Sequence, residues 1–169
     1  HCSYENFDMA DLIDFKKVLQ IPQLKGMNVT IPYKQDVIHF LDNIDEISKS
    51  IGAVNTIVFN KDGTTTGYNT DYIGFQKSIN HLISPEIDAA LVLGTGGASK
   101  AVVYALHKMG IETQYVSRKK DVNNLTYEEL TVAVIEKHKL IVNCTPLGTH
   151  PNIFQKPNLN YNHLTNAHV

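Results

Sequence analysis

The chain has 169 residues, 43% of them hydrophobic and 19% charged, enough to bury the core of one domain or two small ones and unlike a disordered or fibrous sequence. A net charge of −2 provides no field to draw nucleic acid or an anionic membrane. No apolar run reaches the ~18 residues of a bilayer span, and two distant cysteines with eight scattered histidines give neither a disulfide framework nor metal-ligand spacing.

In chain order, "FDMADLIDFKKVLQ" places Leu12, Phe15, Val18 and Leu19 on one helical face, with Asp8 and Asp11 suited to its start. A short strand is expected over Met27–Ile31. Pro32 then fits the first turn of a helix whose buried stripe is Val37, Ile38, Phe40 and Leu41. Lys34 falls in that first turn, where the helix dipole disfavours a cation by a few tenths to about 1 kcal/mol. Another group must therefore want the lysine.

A further helical pattern through Ile44, Ile47 and Ile51 ends at Gly52. Residues 53–59, "AVNTIVF", read as a strand, and the Asp62-Gly63 turn returns a second strand against it. Alternation puts Asn55 on an apolar face, where its amide needs partners. "NTDYIGFQKSINHLI" reads as a helix opened by Asn69 or Thr70, with Asp71 either capping it or doing chemistry. "SPEID" breaks the pattern, so the domain boundary is drawn there: residues 1–83 and residues 84–169.

The second half alternates strand "AALVL", a glycine loop, a helix from Ser99 to Met109 closed by Gly110, strand "ETQYV", a basic turn, a helix and strand "LIVNC". Thr126 with Glu129 makes a capping box for the second of these helices. Continuous apolar strands alternating with helices imply a parallel sheet covered on both faces. Three strands of that sheet are evident.

In "LVLGTGGASKA", Gly94 permits the tight turn and Gly96 the approach of a pyrophosphate to the helix N-terminus, while the third fingerprint position holds Ser99. Lys100 does not make this a phosphate-hydrolysing P-loop, because Ser99 replaces the glycine before it and Ala101 lacks a hydroxyl for magnesium. At the end of the next strand, "VSRKK" offers Ser117, Arg118, Lys119 and Lys120 where an NAD site usually offers an acid. The turn suits a 2′-phosphate, hence NADP; its alternative is a solvated basic turn.

Five motifs in this order, NVTIPYK, GAVNTI, GYNTDYIGF, LGTGGASKA and NCTPLG, resemble the shikimate dehydrogenase family across nearly the whole chain. The resemblance implies an α/β protein with an N-terminal α/β substrate domain and a Rossmann-like, doubly wound parallel-sheet NADP-binding domain. It implies that Lys34 and Asp71 form a catalytic pair, that Thr30 and Asn55 bind substrate hydroxyls, and that Asn69 and Thr70 shape the pocket. Gly94, Thr95, Gly96, Gly97, Ala98 and Ser99 would hold the pyrophosphate, Ser117, Arg118 and Lys119 the adenosine end, and Thr145 with Pro146 the nicotinamide side.

The implied reaction is NADPH-linked reduction of 3-dehydroshikimate, in the route to chorismate and aromatic amino acids. A quinate or mixed-specificity enzyme, or a non-catalytic NADP-binding regulator, would share these motifs. The family ordinarily opens with a strand and a carboxylate-gripping serine loop, and it continues to a substrate-binding glutamine. Neither feature lies between His1 and Val169, so the chain is expected to be a piece that is inactive alone, its cofactor domain incomplete. The expected partner is a small-molecule substrate, with no metal, nucleic acid or membrane, in a cytoplasmic monomer or homodimer.

Overall fold

The computed structural model describes residues 2–169. Two four-stranded sheets are laid down one after the other along the chain. The first contains β1 (Gly26–Asn28), β2 (Asn43–Ile44), β3 (Thr56–Phe59) and β4 (Thr65–Tyr68), in the order β1-β3-β4-β2. β3 pairs antiparallel with β1 and β4, and β2 lies parallel to β4. Gly63, in the left-handed region at φ 86°, closes the turn between β3 and β4 as the Asp62-Gly63 pair led one to expect.

The first sheet's core gathers Phe15, Val37, Val54 and Ile57, with Phe15 edge-on to Phe40 at 5.5 Å between ring centroids. The helix bearing Phe15, α1 (Phe15–Leu19), is much shorter than its apolar spacing suggested and starts from Asp14. Asp11 is spent upstream on an Asx-type turn, its carboxylate accepting from the Ile13 N–H at 2.8 Å.

The helix expected from Pro32 does not form. Residues 31–35 are turns, and Asp36–Phe40 is a 3₁₀ segment that buries Val37 and ends where Leu41 becomes extended (ψ 146°). The extended exit delivers Asp42 to Thr65, whose N–H and hydroxyl each donate to the carboxylate at 2.8 Å. That tie sets β2 beside β4. The pattern assigned to a helix through Ile44 therefore splits into β2 and α2 (Glu46–Ile51), which is capped by Asp45 and closed by Gly52.

The second sheet holds β5 (Ala89–Leu93), β6 (Glu112–Ser117), β7 (Asn124–Thr126) and β8 (Leu140–Asn143), all parallel in the order β7-β6-β5-β8. All five residues of β5 are buried. Ala90 and Val92 face a cluster with Val102, Leu106 and Ile111, while Leu91 and Leu93 face one with Val116, Leu130 and Ile135. α4 (Gly97–Lys108) supplies the first cluster and α5 (Val132–Lys137) the second, so the sheet is covered on both faces. Burying a leucine such as Leu91 contributes about 1.5–3 kcal/mol.

Two sequence expectations need correction here. β7 is a fourth strand that its three mixed residues did not reveal. The Thr126–Glu129 capping box is present, but it opens only the 3₁₀ turn Tyr127–Glu129; α5 starts later, from Thr131.

The two sheets are joined through α3 (Asp71–Ile79) and α4. Ile51, Ala53 and Ala101 form a shared cluster, flanked by Tyr72 and Tyr104, whose rings meet edge-on at 5.3 Å. Among the described residues no helix is long and apolar enough to cross a membrane, and no group of three metal-binding side chains assembles.

Candidate active site

Successive strands leave β5 in opposite directions, β6 on one side and β8 on the other, so the chain reverses its winding between β5 and β8. In parallel sheets the hollow beyond the carboxyl ends of such strands is where ligands bind. Gly94 ends β5 there with φ 106°, and a side chain on it would press within 3.3 Å of the Cys144 carbonyl oxygen and 3.4 Å of Thr145 Cγ2. The loops after β5 and β8 thus touch, and only glycine suits that backbone.

At Gly96, with φ −79°, an added methyl would meet only open space, and no side chain caps α4. The first-turn N–H groups of this 12-residue helix are left to face that space, an arrangement suited to an anion. Ser99, the departure from the usual glycine or alanine, is fully buried, and its hydroxyl donates to the Gly96 carbonyl at 2.7 Å. The serine departs from the fingerprint, yet its hydroxyl ties the loop to the first turn of α4.

Beyond β6, Lys120 is paired with Glu129 at 2.7 Å, and that contact, with the Thr126 N–H, holds the glutamate carboxyl below its usual range. Arg118 and Lys119 are exposed, and neither forms an ion pair among the described residues. The Lys119 N–H donates to the Ser117 hydroxyl at 3.4 Å. The basic turn therefore divides its labour: Lys120 ties the loop down while Arg118 and Lys119 remain available.

Asn143 orders the loop after β8. Its side-chain oxygen accepts from the Thr145 N–H at 3.0 Å and the Thr145 hydroxyl at 2.6 Å, and its amide donates to the Leu147 carbonyl at 3.2 Å. The residue was overlooked in the sequence, although Asn two places before Thr-Pro is a recognisable turn former. Pro146 is exposed beside Thr145. Burial pushes the intervening Cys144 thiol up to about 12. At about pH 8 a thiol of that kind stays protonated and unreactive. Iodoacetamide should therefore label exposed Cys2 far faster than half-buried Cys144 in the folded protein, with the two rates converging in denaturant; comparable native rates would contradict this.

Against the first sheet stands a second constellation. Lys34 Nζ donates to Asp71 Oδ2 at 2.9 Å, with the two side chains 15% and 33% exposed. The other carboxylate oxygen, Oδ1, accepts from Asn55 Nδ2 at 2.8 Å. Asn55 is buried at 8% exposure, and its side-chain oxygen takes the Thr70 N–H at 2.9 Å and the Thr56 hydroxyl at 3.0 Å. Its amide also reaches the Thr70 hydroxyl at 3.0 Å. Asn69, 3% exposed, donates to the Ala53 carbonyl and accepts the Asp71 N–H, each at 3.0 Å.

These bonds separate the residues expected to meet a substrate. Asn69 has both ends of its amide engaged within the protein, so its part is to hold Asp71 and the strand-to-helix turn. Thr70 is exposed beside Asn55, and Thr30 is exposed after β1, its carbonyl accepting from Tyr33 at 3.0 Å. Lys34 does not occupy a helical first turn, so no dipole opposes its charge. The group that wanted it is Asp71.

Comparison with known proteins adds to this geometry. Residues 1–57 match the family model described as the shikimate dehydrogenase substrate binding domain. An NADP(+) shikimate dehydrogenase of Clostridium beijerinckii is 43% identical over 164 residues, covering 90% of this chain and 58% of the relative. The crystal structure of the shikimate dehydrogenase from Aquifex aeolicus superposes with a TM-score of 0.79 at 38% identity, covering 92% of this chain and 62% of the other. A quinate dehydrogenase from Corynebacterium glutamicum, in complex with NAD, gives 0.77 at 29% identity, with 92% and 62% covered. The chain thus spans roughly three fifths of the proteins it matches.

Proposed function

We propose that the chain belongs to the shikimate dehydrogenase family, as its likeness to those enzymes supports, and that the intact protein reversibly reduces 3-dehydroshikimate to shikimate with NADPH. The observation that carries this reading is the 2.9 Å contact between Lys34 and Asp71, set where the glycine loop of the second sheet reaches the first. Residues 1–83 act as the substrate-binding half and residues 84–169 as part of the NADP-binding half.

NADPH, when bound, supplies the hydride. Gly94, Thr95, Gly96, Gly97, Ala98 and Ser99 would offer the loop and helix N-terminus to its pyrophosphate, and Ser117, Arg118 and Lys119 would hold the adenosine end with its 2′-phosphate. Thr145 and Pro146 would lie on the nicotinamide side. As negative charge develops on the substrate's ketone oxygen, the Lys34 ammonium stabilises it and gives up a proton. Asp71 orients that ammonium and, being one third exposed, can relay a replacement proton from solvent. Thr30 holds a ring hydroxyl, with Thr70 at the rim; Asn55, whose amide already serves Asp71 and Thr70, meets a second hydroxyl by exchanging its bond to the Thr70 side chain for one to the substrate.

Loss of NADPH absorbance on adding 3-dehydroshikimate to the intact protein tests the proposal; no substrate-dependent loss would end it. One charge-assisted contact to the 2′-phosphate from the exposed Arg118–Lys119 turn contributes about 1.5–3 kcal/mol. Catalytic efficiency with NADPH should accordingly exceed that with NADH by roughly one to two decades. Equal efficiencies would show the basic turn to be merely solvated.

The structural likeness to a quinate dehydrogenase supports a second reading, mixed shikimate and quinate specificity. A kcat/KM ratio for the two substrates near unity would favour it. The protein would work as a monomer or homodimer, distinguishable by light scattering, in the cytoplasm.

A further inference from the structure

The dinucleotide fingerprint of this loop consists of positions 94, 96 and 99. Gly97 lies outside it: what it offers the pyrophosphate is the backbone N–H at the start of α4, which alanine would supply equally, so anion binding makes no demand for glycine at that place. Its surroundings do. A methyl group on Gly97 would come within 2.8 Å of Lys34 Cβ, 3.5 Å of Lys34 Cδ and 3.6 Å of Ala53 Cβ. Carbon atoms pack at about 3.5–4.0 Å, so the first of these contacts is a clash.

Lys34 cannot easily step aside. Its Cβ moves only with its backbone, and that backbone is held by the Val54 N–H donating to the Lys34 carbonyl at 2.7 Å. At the other end the ammonium is engaged by Asp71. The bare first turn of α4 thus closes the third side of the lysine, bearing on its stem.

We propose that Gly97 is a positioning residue for Lys34: its lack of a side chain lets the cofactor loop pack on the lysine stem and aim the ammonium at Asp71. The inference rests on the proposed role of Lys34 in proton transfer, and it ties the placement of the proton donor to the loop that holds the cofactor. A displacement of α4's first turn therefore displaces the lysine.

The test is Gly97→Ala in the intact protein. Alanine at a helix start is itself neutral or stabilising relative to glycine, so a residue with only a backbone role would lose nothing. The inference expects kcat to fall about tenfold or more, as small misplacements of catalytic groups do, with the KM for NADPH within about twofold. It also expects the Lys34 resonance of the reductively ¹³C-methylated protein, assigned by its loss in Lys34→Arg, to shift. Gly96→Ala should raise the KM for NADPH without moving that resonance.

A defect confined to the KM for NADPH, or an unmoved Lys34 resonance in Gly97→Ala, overturns the inference. Without any substitution, an NOE between the Gly97 Hα and Lys34 Hβ protons is expected in the wild type, and its absence also overturns it. An inactive wild type whose Lys34 resonance still shifts in Gly97→Ala would sink the enzymatic reading and leave the contact standing.

Discussion

Lys34→Met should lower kcat by about 10² to 10⁴, the range spanned by positioned acids and bases, while the folded state persists. Methionine matches the length and apolar character of the lysine stem, so the packing against Gly97 and Ala53 survives and only the ammonium is removed. The lost ion pair is partly exposed on both sides, and such pairs contribute about 0.2–1 kcal/mol. A melting temperature close to that of the wild type is therefore expected alongside the collapse in turnover. Normal turnover in this variant would remove Lys34 from the chemistry.

Asp71→Asn is the second large effect, and the structure sharpens it. From the sequence, the aspartate could have been no more than a helix cap. Its carboxylate does not serve its own helix, however: Oδ1 accepts from Asn55, Oδ2 accepts from Lys34, and it is Asn69 that takes the Asp71 N–H. An asparagine oxygen can still accept from Asn55, which turns its NH₂ towards the ammonium, donor against donor. The lysine then loses its orienting partner and its proton relay.

A fall in kcat of about 10² or more is expected, with about 0.5–2 kcal/mol of stability lost from the missing ion pair and the missing negative charge at the start of α3 together. Steady-state kinetics beside a thermal melt separate the two readings. A destabilised variant with turnover within about threefold of wild type would return Asp71 to a structural role.

The legible and illegible parts of this chain differ in where their information lies. β5 and β8 could be read directly because each is largely an apolar run, with β5 buried on both faces, and β6 because strand-favouring Thr113, Tyr115 and Val116 lie between Gly110 and the basic turn. β7 could not, since Asn-Leu-Thr carries no pattern. Its Asn124 is buried with its polar ends satisfied, the amide donating to the Lys119 carbonyl at 2.8 Å and the side-chain oxygen accepting the Asp121 N–H at 2.5 Å, loop contacts that no periodicity encodes.

In the first half the stripe Val37, Ile38, Phe40 and Leu41 was read with a helical period. The tertiary tie between Asp42 and Thr65 instead requires an extended exit, and a 3₁₀ turn satisfies both. The dipole argument that singled out Lys34 consequently had no helix beneath it, although it pointed to a residue with a partner. Lys34, Asn55 and Asp71 stand 16 to 37 positions apart, and their meeting depends on β3, β4 and the turn into α3. Only the ordered motifs hinted at it, and local propensity was silent.

The most direct test of the account is a crystal structure of the intact protein with NADP⁺ and shikimate bound. The account requires the hydroxyl that undergoes oxidation to lie within hydrogen-bond reach of Lys34 Nζ, about 2.6–3.2 Å, with Asp71 still on the lysine and the nicotinamide on the side lined by Thr145. A shikimate whose reacting hydroxyl faces away from Lys34, with the amine still tied to Asp71, would contradict it.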